Sequence, residues 1–121
     1  MNETVEPVLK LFGEKASYSD FEVKIKYHND FIIKYDFAMQ IMYINEKYYF
    51  DVEEQDLLET LNEINNDIYY IVEYKSKRLS STPYFKFLNK NKTNIDNIRK
   101  SSNVLRIFDI HRLIYNKNQA N

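Results

Sequence analysis

The chain opens on an apolar stripe of helical spacing. Val5, Val8, Leu9 and Phe12 fall on one helical face, which predicts a short helix over 3–12. Pro7 suits its first turn and Gly13 supplies its stop. The period then changes to two. In Phe21-Glu22-Val23-Lys24-Ile25-Lys26-Tyr27 the odd positions are apolar and the even ones charged, the pattern of a half-buried strand. His28-Asn29-Asp30 reads as a tight turn. From Phe31 the odd positions run Phe31, Ile33, Tyr35, Phe37, Met39, Ile41 and Tyr43 in a single phase, so one long strand is expected. Straight, its fourteen residues would span about 46 Å, so a bend or bulge is expected within it. Asn45-Glu46-Lys47 then turns the chain into Tyr48–Val52. The expectation is a three-strand antiparallel meander over 21–52 with an aromatic face.

Helical spacing returns over 53–65, with Leu57, Leu58, Leu61 and Ile64 inward. Strands are expected near 68–75 and 84–88, and a polar turn at 89–92. Thr93 with Asp96 has the spacing of a capping box, which predicts a helix over 94–100. Residues 104–115 allow two readings. Arg106, Asp109, Arg112 and Asn116 are spaced like the polar face of a helix, whereas the β-branched content tolerates a strand. The helix is the reading adopted. The expected fold class is therefore α+β in a single domain over 1–121, with 116–121 as a disordered tail.

Composition removes much chemistry. The 121 residues include one glycine, two prolines, no cysteine and no tryptophan. Phosphate-binding, dinucleotide and nucleophile-elbow loops each need two or more glycines. Disulfide frameworks, thiolate nucleophiles and cysteine-held metals need the absent cysteines. With two histidines there is little for an imidazole cluster, and no cofactor or metal is expected. No apolar run is long enough to span a bilayer and no signal peptide is visible, so a cytoplasmic location is expected. Thirteen lysines against four arginines, with many Asn, Ile and Tyr, suit an AT-rich genome, in the style of phage and mobile-element accessory proteins.

The net charge of −1 conceals a segregation. Residues 1–74 carry six lysines and sixteen carboxylates, net −10; residues 75–121 carry eleven bases and two aspartates, net +9. Between Asp51 and Asp67 there are seven carboxylates and no base. Glu63 and Asp67 sit toward the C-terminal end of the expected helix, where the macrodipole disfavours them, so helix stability does not explain them. A carboxylate array on a rigid helix can occupy a basic groove, as nuclease inhibitors and immunity proteins do. Charge of one sign raises encounter rate and specificity more than raw affinity. Glu53, Glu54, Asp56, Glu59 and Glu63 are therefore the candidate partner contacts of a non-enzymatic binding factor, of inhibitor, immunity or anti-defence type.

Three other readings compete. Lys75, Lys77, Arg78, Lys86, Lys90 and Lys92 are interleaved with Tyr69, Tyr70, Tyr74, Tyr84, Phe85 and Phe87, a composition that suits single-stranded nucleic acid through stacking and phosphate neutralisation. Glu73-Tyr74-Lys75 matches the second half of a Mg²⁺-dependent nuclease signature, with Asp51 or Asp67 as the upstream carboxylate. Asp109-Ile110-His111 could orient an imidazole for base catalysis, but no nucleophile accompanies it. His28 falls in an expected turn.

Overall fold

The short N-terminal stripe forms helix α1 (Val5–Phe12), with Val5, Val8 and Phe12 buried. Gly13 ends it at φ 59°, and its N–H bonds the Leu9 carbonyl. That left-handed conformation is open to glycine and strained for most other residues. The computed structural model describes residues 3–76 and 82–117. They form an α+β fold with two antiparallel sheets, and the chain divides into two compact units, Met1–Asn66 and Asp67–Asn121.

In the first unit a single 3₁₀ turn (Gly13–Lys15) leads into β1 (Ala16–Ser19), β2 (Glu22–His28), β3 (Phe31–Asp36), β4 (Ile41–Ile44) and β5 (Tyr48–Asp51). Consecutive hairpins place all five strands in chain order. Val23, Ile25 and Tyr27 are buried along β2 while Lys24 and Lys26 are exposed, as the alternation predicts. Tyr27 meets Phe12 edge-on at 5.6 Å and stacks on Phe31 at 5.1 Å, which fastens α1 to the sheet.

The long strand expected over 31–44 is instead two strands joined by a turn at Phe37–Gln40. Asp36 Oδ1 accepts the N–H groups of Ala38 (2.9 Å) and Met39 (3.0 Å), and Gln40 adopts φ 55°. Antiparallel pairing sets Ile33 opposite Ile44 and Tyr35 opposite Met42. Odd positions therefore face inward before the turn and even ones after it. The meander over 21–52 has four strands, not three. β1 adds a fifth, although residues 16–19 carry little apolar alternation.

Asn45 ties together the turns at the opposite end of the sheet. Its Oδ1 accepts the Ile32 N–H at 2.8 Å, its Nδ2 donates to the Asp30 carbonyl at 2.8 Å, and its φ is 54°. Asn45→Ala is expected to cost roughly 2 kcal/mol, from two lost hydrogen bonds and a left-handed backbone that alanine resists. Asn45→Gly, which keeps that backbone accessible, should lose less; urea midpoints of the two variants provide the check. Helix α2 (Glu54–Asn65) closes the unit with Leu57, Leu61 and Ile64 buried.

The second unit contains β6 (Tyr69–Tyr74), β7 (Tyr84–Asn89), α3 (Ile95–Lys100), β8 (Val104–Asp109) and β9 (Arg112–Asn116), in sheet order β7-β6-β8-β9. Residues 104–115, read as a helix from their polar spacing, are thus two strands. β8 pairs with β6 across Ile71–Phe108 and Val72–Ile107, so its β-branched and aromatic side chains pack on a sheet. Asn116 belongs to β9, and 118–121 lie outside the described residues. The cap of α3 is also displaced by one residue. Asn94, not Thr93, accepts the Asp96 and Asn97 N–H groups, at 3.0 and 3.4 Å. On one sheet face Val72, Val104 and Ile107 pack with Tyr70, Tyr74, Leu88, Ile114, Tyr115 and the α3 residues Ile95 and Ile98.

Candidate interaction surfaces

The boundary between the units lies eight residues before the point, 74/75, at which the charge changes sign. Met1–Asn66 holds six lysines and fourteen carboxylates, net −8; Asp67–Asn121 holds eleven bases and four carboxylates, net +7. Each unit is a body of one dominant sign.

Helix α2 divides the five expected partner contacts into three groups. Asp56, Glu59 and Glu63 are exposed and follow at intervals of three and four residues, which aligns them in one column about 10 Å long. Glu53 is the exposed N-cap residue, extended at φ −64° and ψ 144°. Glu54 is partly covered: the Thr4 hydroxyl donates to its Oε2 at 3.2 Å, and its own N–H donates to Gln40 Oε1 at 2.8 Å. It belongs to the flank facing α1, not to the column. Leu58, expected inward, is 37% exposed. It lines an open groove of about 410 Å³ with Pro7, Lys10, Leu11 and Asn62 between α1 and α2. Asp67, singled out as unexplained by helix stability, has a local role in the second unit. At φ 57° its Oδ1 accepts the Ile110 N–H at 3.3 Å and lies 2.8 Å from Lys90 Nζ.

Among the basic candidates, Lys75, Lys86 and Lys92 are exposed, while Lys77 and Arg78 lie outside the described residues. Lys86 Nζ stands 5.6 Å from the Tyr74 ring centre and 5.9 Å from that of Tyr84. Those two rings stack at 5.5 Å because Tyr74 and Tyr84 are cross-strand partners. Burial and then the neighbouring Tyr84 raise the Tyr74 hydroxyl above its ordinary pKa. Lys90 differs. It bridges Asp67 and Asp109, each at 2.8 Å, and lies 5.1 Å from the Tyr70 ring centre, so its charge is matched within the unit.

Burial opposes ionisation of Asp109, but hydrogen bonds from Lys90 and the His111 N–H outweigh it and hold the carboxyl below the usual carboxylate range. For Lys90, burial lowers the pKa, and the bonds to Asp109 and Asp67 more than reverse that. A depressed carboxylate contributes stability above its unfolded pKa, near 4, and loses it as pH falls through the folded value. A raised lysine contributes below about 10 and loses that contribution as pH rises through the folded value. Lys90→Met leaves two carboxylates facing each other and should cost roughly 2 kcal/mol at neutral pH. The difference from wild type should shrink below about pH 4 as the carboxylates protonate, which denaturant unfolding at several pH values would reveal.

Of the residues of the catalytic readings, Glu73 and Asp109 are engaged through their side chains. Glu73 is buried, and Arg106 Nε lies 3.5 Å from its Oε1 across the β6–β8 pair. Lys75 is exposed, and its N–H donates to the Asn103 carbonyl at 2.6 Å. Asp109 accepts the backbone N–H of His111 at 3.2 Å while the rest of its carboxylate is taken by Lys90, and this closes the β8–β9 turn. His28 Nδ1 accepts the Asp30 N–H at 3.2 Å, an arrangement internal to its turn. Among the described residues no group of three or more His, Asp or Glu side chains is placed to hold a metal ion. None of their helices is long and apolar enough to cross a membrane.

Two exposed residues do not fit the periodicity. Phe21, expected as the first inward residue of a strand, is 68% exposed, and Met39, expected within the long strand, is 64% exposed. Both lie in turns at one end of the five-stranded sheet, which the alternating pattern passes over. No protein-family model, curated protein or solved structure matches the chain.

Proposed function

We propose that the protein is a small non-enzymatic binding factor, of inhibitor, immunity or anti-defence type, that docks acidic helix α2 onto a basic site of a partner protein. The observation that carries this reading is the division of charge between the two units, net −8 over Met1–Asn66 and net +7 over Asp67–Asn121. The acidic charge is thereby concentrated on one unit, where the Asp56, Glu59 and Glu63 column is exposed and α2 contains no base. Such a surface steers a cationic partner and rejects anionic ones. A nucleic-acid-handling enzyme or a toxin with a basic groove fits that chemistry. The test is affinity capture from the native host with two baits, wild type and the Asp56→Lys, Glu59→Lys, Glu63→Lys variant. A protein retained by the first, released by salt and absent from the second is the expected result; equal capture would reject the reading.

A second reading rests on Lys86 over the stacked Tyr74 and Tyr84 rings in the +7 unit. Here the chain would bind single-stranded nucleic acid, with Lys75 and Lys92 contributing charge. A mobility shift that weakens steeply with salt and is lost in Lys86→Glu would favour it. No shift at low salt would dismiss it.

A further inference from the structure

The end of the five-stranded sheet at which α2 begins combines two features that folding does not account for. The β1–β2 hairpin turns on Asp20 and Phe21, with φ of 52° and 64°. Glycine and asparagine suit such positions; an aromatic residue there strains the backbone. Phe21 gains no compensating burial, being 68% exposed. The adjacent turn presents Met39, 64% exposed. The backbone of both turns is hydrogen-bonded in place. The Phe37 N–H donates to the Phe21 carbonyl at 2.9 Å, joining the two turns. Asp36 Oδ1 accepts the Met39 N–H at 3.0 Å. Gln40 links the same turn to the start of α2, accepting from the Val52 N–H at 3.1 Å through its backbone and from the Glu54 N–H at 2.8 Å through its side chain.

The surroundings carry one sign of charge. The segments that meet at this end, 18–22, 36–41 and 51–56, contain seven carboxylates and no base. Lys34, farther along β3, is bonded to Glu46 and stands 3.9 Å from Glu22. Two exposed apolar side chains on turns whose neighbouring segments carry carboxylates and no base are complementary to an apolar pocket rimmed by lysine or arginine. Binding hot spots take this form, with a large side chain seated in a pocket and charged groups at the rim.

We infer that Phe21 and Met39 are the apolar anchors of a docking tip for a cationic protein segment that also presents apolar side chains. This inference rests on the reading of the first unit as an acidic docking module. It adds that contact is centred on the turn end of the sheet and the first turn of α2, not on the whole length of the helix. Nucleic acid is disfavoured there by repulsion.

Two synthetic peptides of equal charge test it against the full chain: an amphipathic lysine–leucine peptide and a lysine–serine peptide. Fluorescence anisotropy should show the lysine–leucine peptide binding about 10-fold tighter, with amide shifts centred on Phe21, Met39 and 53–56. Phe21→Gly should erase that preference while raising the thermal midpoint, since glycine accepts the left-handed φ. Phe21→Asn, which also tolerates it, should erase the preference too. Met39→Ser should reduce it. Equal or absent binding of the two peptides to wild type, or full preference retained in both Phe21 variants, would overturn the tip. The Asp56→Lys, Glu59→Lys, Glu63→Lys chain separates the two levels. If that chain loses both peptides while the Phe21 variants bind as wild type, the tip falls and the docking module stands. If it binds both as wild type does, the module and the tip fall together.

Discussion

Reversal of Asp56, Glu59 and Glu63 to lysine is expected to lower partner affinity roughly 100-fold, about 3 kcal/mol, with the fold intact. Each reversal replaces an attraction by a repulsion, so the three together exceed what simple neutralisation would do. Folding should be spared because the effects on α2 offset each other. Asp56 lies in the first turn, where a carboxylate favours the helix dipole, and Glu63 lies in the last, where it opposes it. Lysine at both positions loses a few tenths of a kcal/mol at one end and regains a similar amount at the other. All three side chains are exposed, so their replacement opens no cavity in the core. Circular dichroism and thermal melting should therefore match wild type. The loss should appear mainly in the association rate and should diminish at high salt, as surface plasmon resonance at two ionic strengths would show. An affinity unchanged at low salt would contradict the docking surface. Glu54 is omitted because its contacts with Thr4 and Gln40 make its replacement a structural change as well.

Phe31→Ala is expected to cost roughly 3–5 kcal/mol, enough to unfold a marginal domain. Phe31 is fully buried at the start of β3, stacked on Tyr27 at 5.1 Å. Its removal loses the transfer energy of the ring and leaves a cavity beside Tyr27, whose ring is also the contact with Phe12 of α1. The Tyr27 hydroxyl is buried, raised well above its ordinary pKa by that burial, and has no hydrogen-bond partner among the described residues. The Tyr27 side chain is thus held by ring packing. Phe31→Leu, which refills most of the space, should cost roughly 1–2 kcal/mol. Denaturant unfolding of the two variants distinguishes a cavity effect from loss of the aromatic stack alone.

Local patterns determined the elements whose periodicity had a single reading. The α1 stripe ending at Gly13, the alternation of β2 from Val23 to Tyr27 and the Leu57, Leu61 and Ile64 face of α2 each followed from spacing, whereas Phe21 and Leu58, expected inward, are exposed. Burial on one face imposes that spacing wherever the element is formed. Tertiary structure decided the rest, and the reason differs from case to case. The turn at Phe37–Gln40 was hidden because a turn held by an aspartate side chain needs no glycine or proline, and both sides of it are apolar. The strands over 104–116 were decided by β6, whose open edge offers backbone partners that no local window contains. The candidate site divided in the same way. The sequence alone established which carboxylates lie on α2 and that charge changes sign along the chain. It did not establish that Glu54 turns toward Thr4, that Lys90 is neutralised by Asp67 and Asp109, or that the acidic and basic charge is largely divided between two compact units. Those depend on contacts between residues far apart in the chain, such as Thr4 with Glu54 and Asp67 with Ile110. Spacing reports which face a side chain shares, and only the folded chain determines what stands opposite.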